Sequence, residues 1–90
     1  MEKLEFFKTN RQRIANALPH GSVKMLASAM KVNRATVDAL MFTDRIGDSW
    51  LDFLHRALLI IYAVGTDDAL IDEYSQTFNV PIKAIFQKPT

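Results

Sequence analysis

The sequence predicts an all-α chain, a compact bundle of about five helices forming one domain over residues 1–90. Three observations predict it. Apolar residues recur at spacings of three and four rather than in alternation, which is the period of a helix with one buried face. The breakers are few, three glycines and three prolines, and most of them fall between the periodic segments, where they end helices instead of interrupting them. Side chains that cap helices stand just ahead of several of those segments. With 49% hydrophobic and 23% charged residues, the chain has the balance of an ordinary globule rather than of a disordered or fibrous polymer.

Taken in order, Leu4, Phe7, Ile14 and Leu18 share the face of a first helix that stops at Pro19-His20-Gly21, with Arg11 intruding into its apolar stripe. Ser22 is the expected N-cap of a short second helix, in which Val23, Leu26, Ala27 and Met30 form the buried stripe. After Lys31 and Val32, Asn33 caps a third helix whose inward residues are Val37, Leu40 and Met41 and which ends before Thr43–Gly47. Asp48 or Ser49 caps the fourth helix, Trp50 to Val64. Its apolar residues spread over roughly 200° of the wheel, more than one core face needs, so it is expected to lie centrally or to be shared with a partner subunit. Gly65 ends it. Thr66, followed by Asp67 and Asp68, marks the start of a fifth helix lined by Leu70, Ile71, Tyr74 and Phe78. The remainder, Val80 to Thr90, carries Val80, Ile82, Ile85 and Phe86 between two prolines and suits a short extended arm.

Composition excludes several classes. The chain has no cysteine and two histidines, His20 and His55, so neither a thiolate centre nor a histidine cluster is expected, and no metal or other cofactor is implied. His20 reads as a turn residue and His55 as a surface residue of its helix. The opening residues mix charges with phenylalanines, unlike an export signal, and a cytoplasmic location is expected. The longest apolar run, Ala57 to Val64, is far shorter than the roughly 20 residues that cross a bilayer, so no membrane partner is expected. No nucleophile with a nearby base, phosphate-binding glycine loop or metal-ligand spacing is visible, and adjacent Asp67 and Asp68 serve a helix start better than paired catalysis. The protein is not expected to be an enzyme.

The formal net charge of +1 conceals an asymmetry: residues 1–45 hold eight Lys or Arg against four Asp or Glu, and residues 46–90 hold three against six. A basic half is the electrostatic footprint of a polyanion partner. Within that half lies Val23-Lys-Met-Leu-Ala-Ser-Ala-Met-Lys-Val-Asn-Arg-Ala-Thr-Val-Asp-Ala-Leu40, which resembles the helix-turn-helix of lambda-type repressors and Cro proteins. Ala27 supplies the small residue where the two helices cross, Leu26 and Met30 fill the space beneath, Val32 plugs the turn, and Val37 and Leu40 anchor the second helix. Where the family usually has glycine just before the plugging residue, because the chain there tends to a positive φ, this chain has Lys31; a non-glycine residue in that conformation costs about 1 kcal/mol, which the surrounding helices can tolerate.

The resemblance spans about 20 of the 90 residues and implies a helix-turn-helix at 22–42 whose helix 33–42 enters the major groove of double-stranded DNA. The base-contacting set is then Asn33, Arg34, Ala35, Asp38 and Ala39, with Phe42 at its edge. Arg34 is suited to guanine O6 and N7, and Ala35 and Ala39 to thymine methyls. Asp38 has two readings, an acceptor from a cytosine amino group or a solvated neighbour of Arg34. Phosphate contacts are expected from Lys24, Lys31 and Arg45 and from the helix start at Ser22; Arg11 and Arg13 read more simply as a solvated basic face. Trp50, on the apolar arc of its helix, reads as core. The function expected is that of a sequence-specific transcriptional regulator of bacterial or phage type, acting as a homodimer through residues 48–90. The alternative is a helical protein-interaction module, an antirepressor or assembly adaptor, which the charge near zero and the missing turn glycine favour.

Overall fold

The computed structural model describes residues 1–79, and the expected arm at 80–90 lies outside them. Among the described residues there are five α-helices and no strand: α1 (Lys3–Ala17), α2 (Ser22–Met30), α3 (Arg34–Phe42), α4 (Trp50–Val64) and α5 (Asp68–Phe78). The all-α bundle read from the sequence is thus the observed architecture.

The centre of the bundle is α4, which packs against each of the other four helices. Its residues Phe53, Leu54, Ala57, Leu58 and Ile61 are buried, four of them without measurable exposure. The wide apolar arc has its explanation here, because a helix touching four neighbours needs more than one narrow stripe. The far side of the arc is not covered: Leu51, Leu59, Tyr62 and Val64 remain exposed. Trp50 stacks beside Phe7, with ring centroids 6.0 Å apart and planes 29° from parallel, and belongs to the periphery of the core.

Helix α1 is held from two sides. Phe7 meets Phe53 of α4 edge-on at 5.8 Å, whereas its neighbour Phe6 meets Tyr74 and Phe78 of α5 at 5.4 and 5.7 Å. A single stripe through Leu4 and Phe7 leaves Phe6 out; the structure buries both rings because α1 lies between α4 and α5. Polar ties reinforce the second contact. Arg13 forks onto Asp67 through Nε and Nη2, at 2.7 and 2.9 Å, and its remaining nitrogen reaches Glu73. Such bidentate pairs fix geometry as well as adding energy.

Two of the expected caps shift by one residue. The N-cap of α2 is Gly21, at φ 88°. Ser22 is the first helical residue and is buried, its hydroxyl donating to the Pro19 carbonyl at 2.6 Å. At α5 the cap is Asp67, whose carboxylate accepts from the Leu70 N–H at 3.0 Å. Thr66 instead donates its hydroxyl to the carbonyl of Ala17 at 2.6 Å, tying the end of α1 to the α4–α5 turn. His55 also departs from its expected surface role. It is half-buried, and its Nε2 lies 2.9 Å from the hydroxyl of the fully buried Tyr74. Burial pushes the His55 imidazole below its usual range, aided by the positive charge of Lys3 and opposed by Asp52, and the same removal from water pushes the Tyr74 hydroxyl up.

Candidate nucleic-acid interface

The segment that resembles a helix-turn-helix folds as two nine-residue helices, α2 and α3, joined by Lys31, Val32 and Asn33. The turn is set by Lys31, which adopts the left-handed conformation at φ 59° and ψ 44°. Two hydrogen bonds close it: the Lys31 N–H donates to Ser28 at 3.3 Å, and the Val32 N–H donates back to Ala27 at 3.1 Å. This is the pattern of a Schellman motif, in which a residue with positive φ lets the chain reverse while the last helical carbonyls are satisfied. Val32 then turns inward against the core, and Asn33, extended at φ −69° and ψ 150°, opens α3. Asn33 caps with its backbone alone: its carbonyl accepts from Thr36 and Val37 at 3.0 and 3.4 Å, without a capping bond from its side chain.

Beneath the turn, Leu26, Ala27, Val37, Leu40 and Met41 are buried, and Val23 and Met30 pack against them. That inward set fixes what α3 shows to water. Asn33, Arg34, Ala35 and Asp38 are exposed, Ala39 is half-exposed, and Phe42 ends the helix with 66% of its surface accessible. The solvent side of α3 is therefore charged at its first turn and apolar along Ala35, Ala39 and Phe42. Arg34 and Asp38, one turn apart, form no ion pair with each other.

The cations considered for phosphate contact divide into two groups. Arg11 and Arg13, both in α1, are committed internally. The Arg11 side chain is 12% exposed; its guanidinium lies 4.9 Å from the centre of the Phe7 ring, 3.5 Å from Asp44 and 3.4 Å from the Arg45 carbonyl. Its buried Nε has no hydrogen-bond partner among the described residues, a cost of about 1–3 kcal/mol that the ring face offsets in part. Arg13 is taken by Asp67 and Glu73. The solvated basic face expected on α1 is thus a pair of tertiary clasps, and only Arg11, by interrupting an apolar stripe, betrays one in the sequence. Their partners lie 34 and 54 residues away.

The second group, Lys24, Lys31, Arg34 and Arg45, is exposed, and none of the four enters an ion pair among the described residues. Lys24 lines a shallow depression on α2 with Gly21, Met25, Ser28 and Ala29. Arg45 lines another, beside Ala35, Thr36, Ala39, Leu40 and Gly47, so it flanks the exposed face of α3. Ser22 does not join them. Its hydroxyl and its N–H both donate to the Pro19 carbonyl, which leaves neither of these two groups for a phosphate.

No grouping of three or more metal-ligating side chains occurs among the described residues, and none of their helices is long and apolar enough to cross a membrane. No family model matches the chain, and neither curated proteins nor solved structures gave a match.

Proposed function

We propose that the protein is a sequence-specific double-stranded DNA-binding regulator of bacterial or phage type, with α3 as the element that enters the major groove. One observation carries the reading. The reversal at Lys31 buries Val37 and Leu40 while leaving Asn33, Arg34 and Ala35 exposed, the presentation that a groove-reading helix requires. Unpaired Arg45 flanks that face and unpaired Lys31 stands in the turn before it; with exposed Lys24 on α2 they supply charge for phosphates, which position without specifying.

A regulator of this type meets successive major grooves about 34 Å apart with a two-fold dimer, and dimerisation through residues 48–90 belongs to the proposal. It is supported by the apolar residues that α4 leaves exposed, Leu51, Leu59 and Val64. Sedimentation at micromolar concentration tests this part: a monomer on its own and on DNA would remove it.

The experiment for the whole is a gel shift on random and selected duplexes across a range of salt. Nonspecific binding at about 10⁻⁴ to 10⁻⁶ M that weakens with salt is expected. Arg34→Ala should lose about 1–3 kcal/mol of discrimination at one base pair, whereas Lys24→Ala should weaken all duplexes alike. Equal losses on selected and random DNA for both variants would refute the assignment of roles. Absence of any shift at low salt would favour the second reading, a protein-interaction module, which draws support from Phe42 and Met25 standing exposed on α3 and α2.

A further inference from the structure

Ala35, Ala39 and Phe42 stand at i, i+4 and i+7 and so share one side of α3. All three are exposed or half-exposed, opposite buried Val37, Leu40 and Met41. From Ala35 to Phe42 the helix rises about 10 Å, at 1.5 Å per residue. That length equals about three steps along a DNA strand at 3.4 Å each. The first two positions carry only methyl groups, which lets the helix axis come close to whatever it faces. The third projects a phenyl ring into water, where apolar surface is costly to leave.

Cations stand at one end of this strip and beside it. Arg34 and Lys31 lie at its N-terminal end, and Arg45 lines the depression beside Ala35 and Ala39. Asp38, at the strip's edge, keeps that edge from a phosphate. A narrow apolar strip bordered by unpaired cations complements a surface that presents small apolar groups between two rows of negative charge. In the major groove those groups are the C5 methyls of thymine.

We propose that α3 selects its site chiefly through thymine methyl groups, with Ala35, Ala39 and Phe42 contacting thymines at two or three neighbouring positions of each half-site. This rests on the DNA-binding reading above. Arg34 fixes the end of the site with a hydrogen bond, and the strip reads the rest by apolar contact. Uracil-containing duplex, identical except for the missing methyls, is therefore a poor ligand.

The test starts from a duplex recovered from a randomised pool by the full chain at low salt, in which each thymine is replaced singly by deoxyuridine. Affinity should fall about fourfold at each contacted position, the loss expected for one methyl-sized group, and stay unchanged elsewhere. In Phe42→Ala the penalty should vanish at the outermost position and persist at the others. Phe42 is largely exposed, so this variant keeps its fold, and circular dichroism checks that it does. Recovery of a duplex whose affinity is indifferent to deoxyuridine at every position would overturn the inference and leave DNA binding standing. The same holds if Phe42→Ala retains every penalty. Recovery of no duplex at all would overturn the DNA reading on which it rests, and the inference with it.

Discussion

Replacing Lys31 by glycine should make the protein more stable while weakening the DNA binding proposed above. Lys31 is the residue that reverses the chain between α2 and α3, at φ 59°. Its side chain is exposed and enters no ion pair, so removing it forfeits no packing. A residue with a Cβ costs about 1–2 kcal/mol in the left-handed conformation, and glycine is spared this. Glycine gives back about 0.5–1 kcal/mol through the freedom it gains in the unfolded chain. The balance is a gain of roughly 0.5–1 kcal/mol, which for a domain of this size raises Tm by about 3–6 °C.

Urea denaturation followed by far-ultraviolet circular dichroism reads this directly, with Lys31→Ala as the control. Alanine keeps the strain and loses only an exposed chain, so it should stay within about 0.5 kcal/mol of the parent. If the proposed phosphate contact exists, both variants should bind DNA equally and more weakly than the parent, with the salt slope reduced by about one unit. A glycine variant no more stable than the alanine variant would refute the argument from strain.

Three further outcomes follow from the packing. Arg13→Ala should cost about 1 kcal/mol, the upper range for a solvent-accessible pair with bidentate geometry. Arg13 holds the Asp67 carboxyl below the usual aspartate range, so the contribution is present above about pH 4 and is lost as the pH falls through the depressed value. The difference in urea midpoint between parent and variant should therefore be smaller at pH 3 than at pH 5. His55 has its folded pKa lowered by burial, so the unfolded chain binds the proton more readily, and stability should fall as the pH drops from 7.5 through the usual histidine value of about 6.5. His55→Gln should abolish that slope; an unchanged slope in the variant would place its origin elsewhere. Leu58→Ala, at a fully buried position of the central helix, should cost about 2–5 kcal/mol by equilibrium denaturation.

Much of the fold was legible because it is written in local patterns. Helix α4 begins at Trp50 and ends at Val64, as the apolar run and Gly65 predict, with Gly65 in the left-handed C-cap conformation. The inward triplet Val37, Leu40 and Met41 of α3 likewise follows from its spacing alone. What escaped depends on contacts distant in sequence. Nothing near Phe6 says that α5 will cover it, and nothing near Arg13 points to Asp67. At Ser22 and Thr66 the local signal was genuine, but each hydroxyl found a carbonyl outside its own helix, at Pro19 and Ala17. The exposed side of α3 was legible by subtraction: once the buried positions are known, the periodicity assigns the others to solvent. What that surface binds is a matter of its chemistry, which periodicity does not encode.

The link between α3 and α4 is pinned at several points. The Thr43 hydroxyl donates to Ala39 at 2.6 Å and accepts from the Arg45 N–H at 3.2 Å, while Arg11 approaches the Arg45 carbonyl from the opposite helix. A cationic side chain mounted on such a braced peptide has little main-chain freedom left to surrender when it engages an anion. Arg45 therefore begins any encounter with the main-chain share of the ordering cost already met by folding, while its exposed side chain still has its own to meet. Thr43→Ala, far from any charge exchange of its own, is the substitution that would hand that cost back.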